Sequence, residues 1–315
     1  MERLVILLER PADFAAPLLT RAALDAVCAR PDITLAGICV RQPKNYPRLV
    51  WRHLRDESQR RFRRWRNDQP DPGYRQPWPL DLHRLARQAG ARVLSPPHQD
   101  LNHPDFVAEL RTVVRPTLAL TLLCGQRYGR ELLEALGYAV NYHNGQLPGY
   151  RGLHATSWEI YRGAATTGFT FHRMDEQLDC GPTLLTGDLP ITATTDLWAL
   201  ESAKARAAAA LLPQLLDLMR SRAPGRPQPA GGKYFSGKDS TALRTIADPG
   251  AFTSQELARR LRAFGTLFLP AAGRWFAVAR FETAAAGVTP AHFQTADGIW
   301  LRAVNPGRLK HFQPA

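Results

Sequence analysis

The chain has 315 residues, which is long for one domain and predicts a large domain together with a small one. Hydrophobic residues make up 44% and charged residues 22%, which excludes a disordered or fibrous protein and is typical of a globular one. No apolar run approaches a membrane span or a signal-peptide core, so we expect no membrane association. Four irregularly spaced cysteines indicate reduced thiols and a cytoplasmic protein.

Strand-like and helix-like segments alternate along the first 220 residues. The predicted strands are 4–8, 33–40, 92–94, 116–123, 137–140, 168–173 and 183–189. The predicted helices are 16–29, 80–89, 106–114, 129–136, 155–161 and 197–220. This alternation predicts an α/β fold with a doubly wound sheet. A Gly-x-Gly-x-x-Gly motif does not follow the first strand, so the sequence lacks the dinucleotide-binding signature.

A change in composition divides the chain near residue 220. Residues 221–240, rich in Pro, Gly and Arg at their start, are predicted to form a linker. Residues 1–220 precede it as the large domain. Residues 241–315 follow as a small β-rich domain, with a helix at 254–264 and strands at 275–281 and 298–304.

The net charge of +13 is concentrated in one segment, within an insertion that we place around residues 41–79. Residues 41–66 hold ten basic side chains against two acidic ones, a net charge of +8. Three interpretations stay open: contact with the phosphates of tRNA, the wall of a pocket for an anionic small molecule, or a solvated arginine-rich helix.

Polar groups cluster where the predicted strand 137–140 ends. Asn141 and His143 follow it directly, and side chains two apart in an extended chain point the same way. Asp179 lies 36 residues after His143. An amide can hold an oxyanion, an imidazole can shuttle a proton, and a carboxylate can orient the imidazole. Each residue alone has an ordinary structural explanation, so only the combination predicts a catalytic site.

The surrounding sequence resembles the folate-dependent formyltransferase family. The resemblance rests on three stretches: Asn141-x-His143-x-x-x-Leu147-Pro148-x-Tyr150-Arg151-Gly152, residues 167–175, and Leu178-Asp179-x-Gly181. They are similar to that family's Asn-x-His-Pro-Ser-Leu-Leu-Pro signature with its Tyr/Trp-Arg-Gly element, to its Thr-Gly-Val-Thr strand, and to the segment with its catalytic Asp. The family includes methionyl-tRNA formyltransferases, glycinamide ribonucleotide formyltransferases and enzymes that formylate amino sugars.

The resemblance implies a reaction in which an amine attacks the formyl carbon of 10-formyltetrahydrofolate. Asn141 and protonated His143 would stabilise the oxyanion, and Asp179 would favour the imidazolium. The family's folate-binding loops correspond to residues 124–128 and 174–178. The implied folate-binding residues are Leu123, Gly125, Gln126, Arg127, Asp175 and Gln177. The sequence shows no metal-ligand motif, and we expect no metal.

The acceptor amine is less defined, because the sequence departs from the family beside the catalytic histidine. Asn144-Gly145 stands where the family has Pro-Ser or Gly-Ser, and Gln146 where it has Leu. The expected substrate-side residues are Asn144, Gln146, Arg151 and His154, with His172 in a structural or substrate-side role. The first prediction is a small-molecule or carrier-bound amine in biosynthesis. Methionyl-tRNA in translation initiation is the second, and a non-catalytic nucleic-acid-binding relative is the third. The small C-terminal domain resembles a shortened form of the one in methionyl-tRNA formyltransferases.

Overall fold

The computed structural model describes residues 1–9, 15–41, 82–122, 124–192, 195, 197–271, 273–285, 292–304 and 307–309. These residues form two compact units. The first unit consists of residues 1–147, 168–187 and 201–230. The second consists of residues 148–167, 188–200 and 231–315. Both units are therefore discontinuous in sequence, since the chain leaves the first and returns to it twice.

A seven-stranded sheet forms the centre of the first unit. Its strands are β1 (Glu2–Glu9), β2 (Ile33–Arg41), β3 (Arg92–Leu94), β4 (Leu118–Leu122), β5 (Tyr138–His143), β7 (Thr166–Arg173) and β8 (Thr183–Pro190). Their spatial order is β3-β2-β1-β4-β5-β7-β8. The first five strands pair in parallel, whereas β5 and β7 pair antiparallel. The predicted α/β class is confirmed, and the sheet is mixed.

The burial of strand β1 shows that the sheet lies inside the hydrophobic core. Leu4, Val5, Ile6, Leu7 and Leu8 are each at most 3% exposed, so this strand is buried on both faces. Continuous apolar strands are typical of a parallel sheet that is covered on both sides.

The helices that precede and connect these strands are short, apart from the first and the last. They are α1 (Ala15–Cys28), α2 (Leu82–Gln88), α3 (Pro104–Glu109), α4 (Arg130–Leu136) and α6 (Leu197–Arg220). Helix α3 begins at a proline, which suits the first helical turn, and continues into a π-helical turn over Leu110–Val114. Phe106, Leu110, Leu132 and Leu136 from α3, the π-turn and α4 share one hydrophobic cluster with Val5 and other sheet residues.

The second unit is built from small sheets and short helices. Its elements include β6 (Tyr150–Gly152), α5 (Ala155–Tyr161), β9 (Lys233–Phe235), α7 (Gly237–Arg244), α8 (Ser254–Phe264), β10 (Leu267–Ala271), β11 (Arg274–Val278), β12 (Phe281–Thr283), β13 (His292–Gln294), β14 (Trp300–Ala303) and β15 (Gly307–Leu309). Strands β6 and β9 pair in parallel. The other strands form the three-stranded sheets β10-β11-β15 and β12-β14-β13.

Aromatic stacking and helix caps hold this unit together. Phe235 is fully buried and stacks on Trp158, with 4.5 Å between the ring centroids. The side chain of Thr253 caps α8 at its start, and Gly265 ends the helix at φ +67°, a conformation that favours glycine.

Some sequence-based boundaries are corrected by the structure. The strand predicted at 275–281 is two strands, β11 and β12. The strand predicted at 137–140 extends through His143, so Asn141 and His143 belong to the strand itself. Residues 221–240, predicted to be a linker, contain β9 and the start of α7.

The division of the chain into a large domain (residues 1–220), a linker (221–240) and a small domain (241–315) stays a prediction. Most of the basic insertion, including all but the first residue of the arginine-rich segment, lies outside the described residues. Within the described part of the chain, no helix is long and apolar enough to cross a membrane.

Candidate active site

The end of strand β5 presents two polar side chains on one face. Asn141 is half-buried and His143 is only 5% exposed. Tyr142 points to the other face, where its ring contacts those of Phe169 and Phe171 at 5.9 and 5.4 Å between centroids. Successive side chains of a strand point to opposite faces, so Tyr142 packs on the apolar face of β5 while the Asn141 amide and the His143 imidazole share the other face.

Asp179 completes the predicted trio. Its Oδ1 lies 3.6 Å from Nδ1 of His143, and its side chain is 12% exposed. This separation is that of an ion pair and exceeds a direct hydrogen bond. In unliganded sites such contacts are often longer than in the reacting complex. The structure therefore brings together the three residues that the sequence singles out.

A second imidazole joins this group. His172 on β7 stands opposite Asn141 in the antiparallel register and is 3% exposed. Its Nε2 lies 3.1 Å from Asn141 Nδ2 and 3.6 Å from Asp179 Oδ1. The expectation that His172 is a hydrogen-bonded residue near the site agrees with this geometry. The sequence did not indicate that it contacts the amide of Asn141.

The turn after His143 is held by groups from β7 and α6. The Thr170 hydroxyl donates to the Gly145 carbonyl oxygen (2.9 Å) and accepts from the Leu147 N–H (3.3 Å). Asn144 Nδ2 lies 3.0 and 3.1 Å from the two carboxylate oxygens of Glu201. The ammonium of Lys204, a fully buried residue, donates to the Asn144 carbonyl oxygen at 2.7 Å.

Glu201 and Lys204 are site-supporting residues that sequence reasoning missed. Both lie on the helix α6, about sixty residues after the turn that they contact. A glutamate and a lysine three positions apart on a helix are common on solvated surfaces. The only hint in the sequence was Asn144, which departs from the family pattern. A partly buried side-chain amide needs hydrogen-bond partners, and Glu201 is one of them.

The two predicted folate loops are connected to each other. The Arg127 guanidinium donates to the Glu176 carbonyl oxygen at 2.9 Å, and Arg130 pairs with the Glu176 carboxylate at 2.8 Å. Residues 124–128 and 174–178 are therefore neighbours, beside the strand end that carries His143.

Residues 100–102 form hydrogen bonds with the loop 124–128. Gln126 contacts the Asp100 carboxylate through Nε2 and accepts from the Leu101 N–H at 3.1 Å. Hydrogen bonds from the Asn102 N–H, and then from Gln126, hold the pKa of Asp100 below its usual value. Burial raises the pKa of the Tyr128 hydroxyl well above its usual value, so Tyr128 is a neutral core residue.

Four predicted folate-binding residues remain. Leu123 lies outside the described residues. Gly125, Asp175 and Gln177 are exposed on the two loops, where Asp175 Oδ1 accepts from the Gln177 N–H at 2.9 Å.

The other predicted substrate-side residues divide between the two units. Gln146 is half-buried in the turn of the first unit. Arg151, on β6, and His154, which precedes α5 at φ +61°, belong to the second unit. The assignment of all these residues to folate or acceptor stays a prediction.

Taken together, the groups at the end of β5 can stabilise an oxyanion and move a proton, which are the requirements of acyl transfer to an amine. Among the described residues, no cluster of three or more His, Cys, Asp or Glu side chains could hold a metal ion. Residues 94–216 match the formyl transferase family. This match includes Asn141, His143 and Asp179, so the resemblance to formyltransferases is confirmed for the segment that carries the motif.

Two curated relatives illustrate the range of the family. The chain is 33% identical over 208 residues to methionyl-tRNA formyltransferase of Bordetella petrii, which covers 61% of this chain and 63% of the relative. It is 32% identical over 108 residues to GDP-perosamine N-formyltransferase of Brucella melitensis biotype 1, covering 34% and 42%. The aligned segments span between 38% and 63% of the curated relatives' own lengths.

The fold also has solved counterparts. An N-formyltransferase from Helicobacter canadensis, solved with folinic acid and dTDP-3-aminofucose, superposes with a TM-score of 0.59 at 15% identity. The superposition covers 98% of this chain and 100% of that one. At this identity the likeness concerns the fold alone.

Proposed function

We propose that this protein is an N-formyltransferase that moves a formyl group from 10-formyltetrahydrofolate to an amine in the cytoplasm. The observation that supports this proposal is the convergence of Asn141, His143 and Asp179 at the carboxyl end of β5. These residues offer an amide donor, an imidazole and a carboxylate within a largely buried site, which is the set that acyl transfer to nitrogen needs.

The residues present fit a folate. The loops 124–128 and 174–178 are joined by Arg127 and Arg130 through Glu176, and Gly125, Asp175 and Gln177 are exposed on them. Polar loops of this kind suit the hydrogen-bonding edge of a pterin. When bound, the folate supplies the formyl group, and the loop residues orient it.

Each residue of the trio has its own role in the proposed reaction. Asn141 donates an amide N–H to the developing oxyanion. His143, protonated, supplies a second donor there, because the carboxylate of Asp179 favours the imidazolium. Asp179, directly or through water, accepts the proton that the amine loses and passes it to the folate nitrogen, whose bond to the formyl carbon breaks as the oxyanion collapses.

For the acceptor, we favour a small-molecule or carrier-bound amine in biosynthesis. The relatives include an enzyme for GDP-perosamine, and a solved counterpart was crystallised with dTDP-3-aminofucose. An amino sugar attached to a nucleotide is therefore the leading test substrate.

Methionyl-tRNA is the second candidate. The curated relatives include methionyl-tRNA formyltransferases, and the segment 41–66 carries a net charge of +8 that could contact phosphates. The alternative of a non-catalytic nucleic-acid-binding relative is weakened by the intact trio, since a binding protein needs none of these groups.

The first experiment measures the release of tetrahydrofolate from 10-formyltetrahydrofolate with each acceptor in turn. The acceptors are initiator methionyl-tRNA, nucleotide-linked amino sugars and free amino acids. Turnover with a small amine and not with tRNA supports the favoured assignment, and the reverse result supports the role in translation. If no acceptor yields product while the protein binds folinic acid, the proposed transferase activity is wrong.

A further inference from the structure

The loop that carries Asp179 has an unusual backbone. Asp179 has φ +56°, in the left-handed region that residues with a side chain seldom adopt. At Gly181, a Cβ atom would come within 1.9 Å of the Arg173 carbonyl oxygen, so the chain can pass there only as glycine. A loop of this shape needs contacts that hold it in place.

Gln228 supplies two such contacts. Its side-chain Nε2 donates to the Asp179 carbonyl oxygen at 3.0 Å and to the Gly181 carbonyl oxygen at 2.8 Å. A primary amide nitrogen has two protons, so both bonds can form together. The two acceptors flank Cys180, and one side chain therefore fixes the peptide groups on both sides of the loop's centre.

The segment that carries Gln228 is itself anchored. Thr183 and Arg226 exchange two backbone hydrogen bonds, each 2.8 Å, in an antiparallel bridge. Gly225 has φ +75°, and a Cβ there would come within 2.9 Å of Pro182 Cβ. The chain after α6 thus lies against the start of β8, and Gln228 extends from it to the Asp179 loop.

We propose that Gln228 is a positioning residue that holds Asp179 in its left-handed conformation and so keeps the carboxylate between two imidazoles. Oδ1 of Asp179 lies 3.6 Å from both His143 Nδ1 and His172 Nε2. Without the two bonds from Gln228, the loop can relax towards ordinary φ values, which would rotate the carboxylate away from His143. The expected effect of Gln228 on the rate of formyl transfer rests on the proposed function, whereas its two hydrogen bonds to the Asp179 loop do not.

Hydrogen exchange of the Gln228 side-chain amide tests the contact without any substrate. In the full-length protein, NMR should show both amide protons of Gln228 exchanging with water at least about tenfold more slowly than those of Gln214, an exposed glutamine on α6. Equal exchange rates for the two glutamines would overturn the proposal.

A double-mutant cycle tests whether Gln228 acts through Asp179. Gln228→Met keeps the length of the side chain and removes both donors. It should lower kcat about tenfold or more in the wild-type background, since small misplacements of a reacting group are costly. In an Asp179→Asn background the same change should lower kcat less than about twofold. Single turnovers with enzyme in excess make the slow variants measurable.

Each outcome of the cycle has a clear meaning. An equal loss in both backgrounds indicates a merely structural role, and no loss in the wild-type background indicates no role. Both overturn the proposal. Gln214→Met is the matched control and should leave kcat unchanged.

If Gln228→Met does not fold, Gln228→Glu takes its place, because it keeps the shape and presents an acceptor to the two carbonyl oxygens. Absence of formyl transfer by the wild-type protein would refute the proposed function, and the exchange measurement would still decide on the contact.

Discussion

His172 contacts the side-chain amide of Asn141, the residue that we propose as an oxyanion donor. The imidazole Nδ1 lies 2.8 Å from the Arg173 carbonyl oxygen, which can only accept, so Nδ1 carries a proton. In the neutral ring Nε2 is then an acceptor, and Asn141 Nδ2 donates to it at 3.1 Å. One of the two amide protons of Asn141 is used in this way, and the other is left for an oxyanion.

Replacement of His172 should therefore impair catalysis through Asn141. We expect His172→Ala to lower kcat by about 10- to 100-fold, because an amide that can rotate is a poorer oxyanion donor. The KM for folate should change little. Steady-state kinetics with kcat and KM resolved would check this. His172→Gln, whose side-chain oxygen can accept from Asn141, should retain more activity than His172→Ala. An unchanged kcat in His172→Ala would contradict this role.

The trio itself makes the most direct prediction. His143→Ala and Asp179→Ala should each reduce turnover by about 10²- to 10⁴-fold, the usual worth of a positioned acid or base. Circular dichroism and thermal unfolding should show that both variants fold. Asp105→Ala, which removes a carboxylate that is 84% exposed, is the control and should retain full activity. Near-normal rates in either trio variant would refute the proposed mechanism.

Glu256 gives a pH-dependent prediction for the second unit. Burial raises its pKa, but hydrogen bonds from Arg260, Arg259 and Tyr161 outweigh that effect and leave the pKa below the usual 4.5. A lowered pKa means that the ionised form stabilises the fold above about pH 4.5. This contribution is lost as the pH falls through the folded-state pKa.

We therefore expect Glu256→Gln to lower the free energy of unfolding at pH 7 by about 1 kcal/mol, as for other partly exposed ion pairs. The difference between the variant and the wild type should shrink as the pH falls below 4.5 towards 3. Urea unfolding at a series of pH values would measure it. Glu131→Gln, at an exposed position of α4, is the control. A difference that is constant with pH would contradict the ion-pair explanation.

The sequence predicted those parts of the site that lie close together along the chain. Asn141 and His143 follow from strand periodicity, and Asp179 follows from the family spacing. The contact between Asn141 and His172 depends on β5 and β7 being antiparallel neighbours, whereas β/α alternation by itself suggests parallel pairing. The hydrogen bonds from Gln228 and Lys204 join residues 49 and 60 positions apart. No local pattern encodes such contacts, because they depend on how the elements pack.

Lys204 leads to the last prediction, which concerns acceptor recognition. Its ammonium donates to the Asn144 carbonyl oxygen at 2.7 Å, while Glu201 accepts from the Asn144 side chain, so the turn after His143 is held from α6. Lys204→Met keeps the buried volume and removes the donor. We expect the KM for the amine to rise about tenfold and the KM for folate to stay within about twofold, since these two hydrogen bonds go to the turn, where the acceptor is predicted to bind. Lys238→Met, at an exposed position, is the matched control. Kinetics with each substrate varied separately would check this, and an equal rise in both KM values would show that the turn does not act on the acceptor alone.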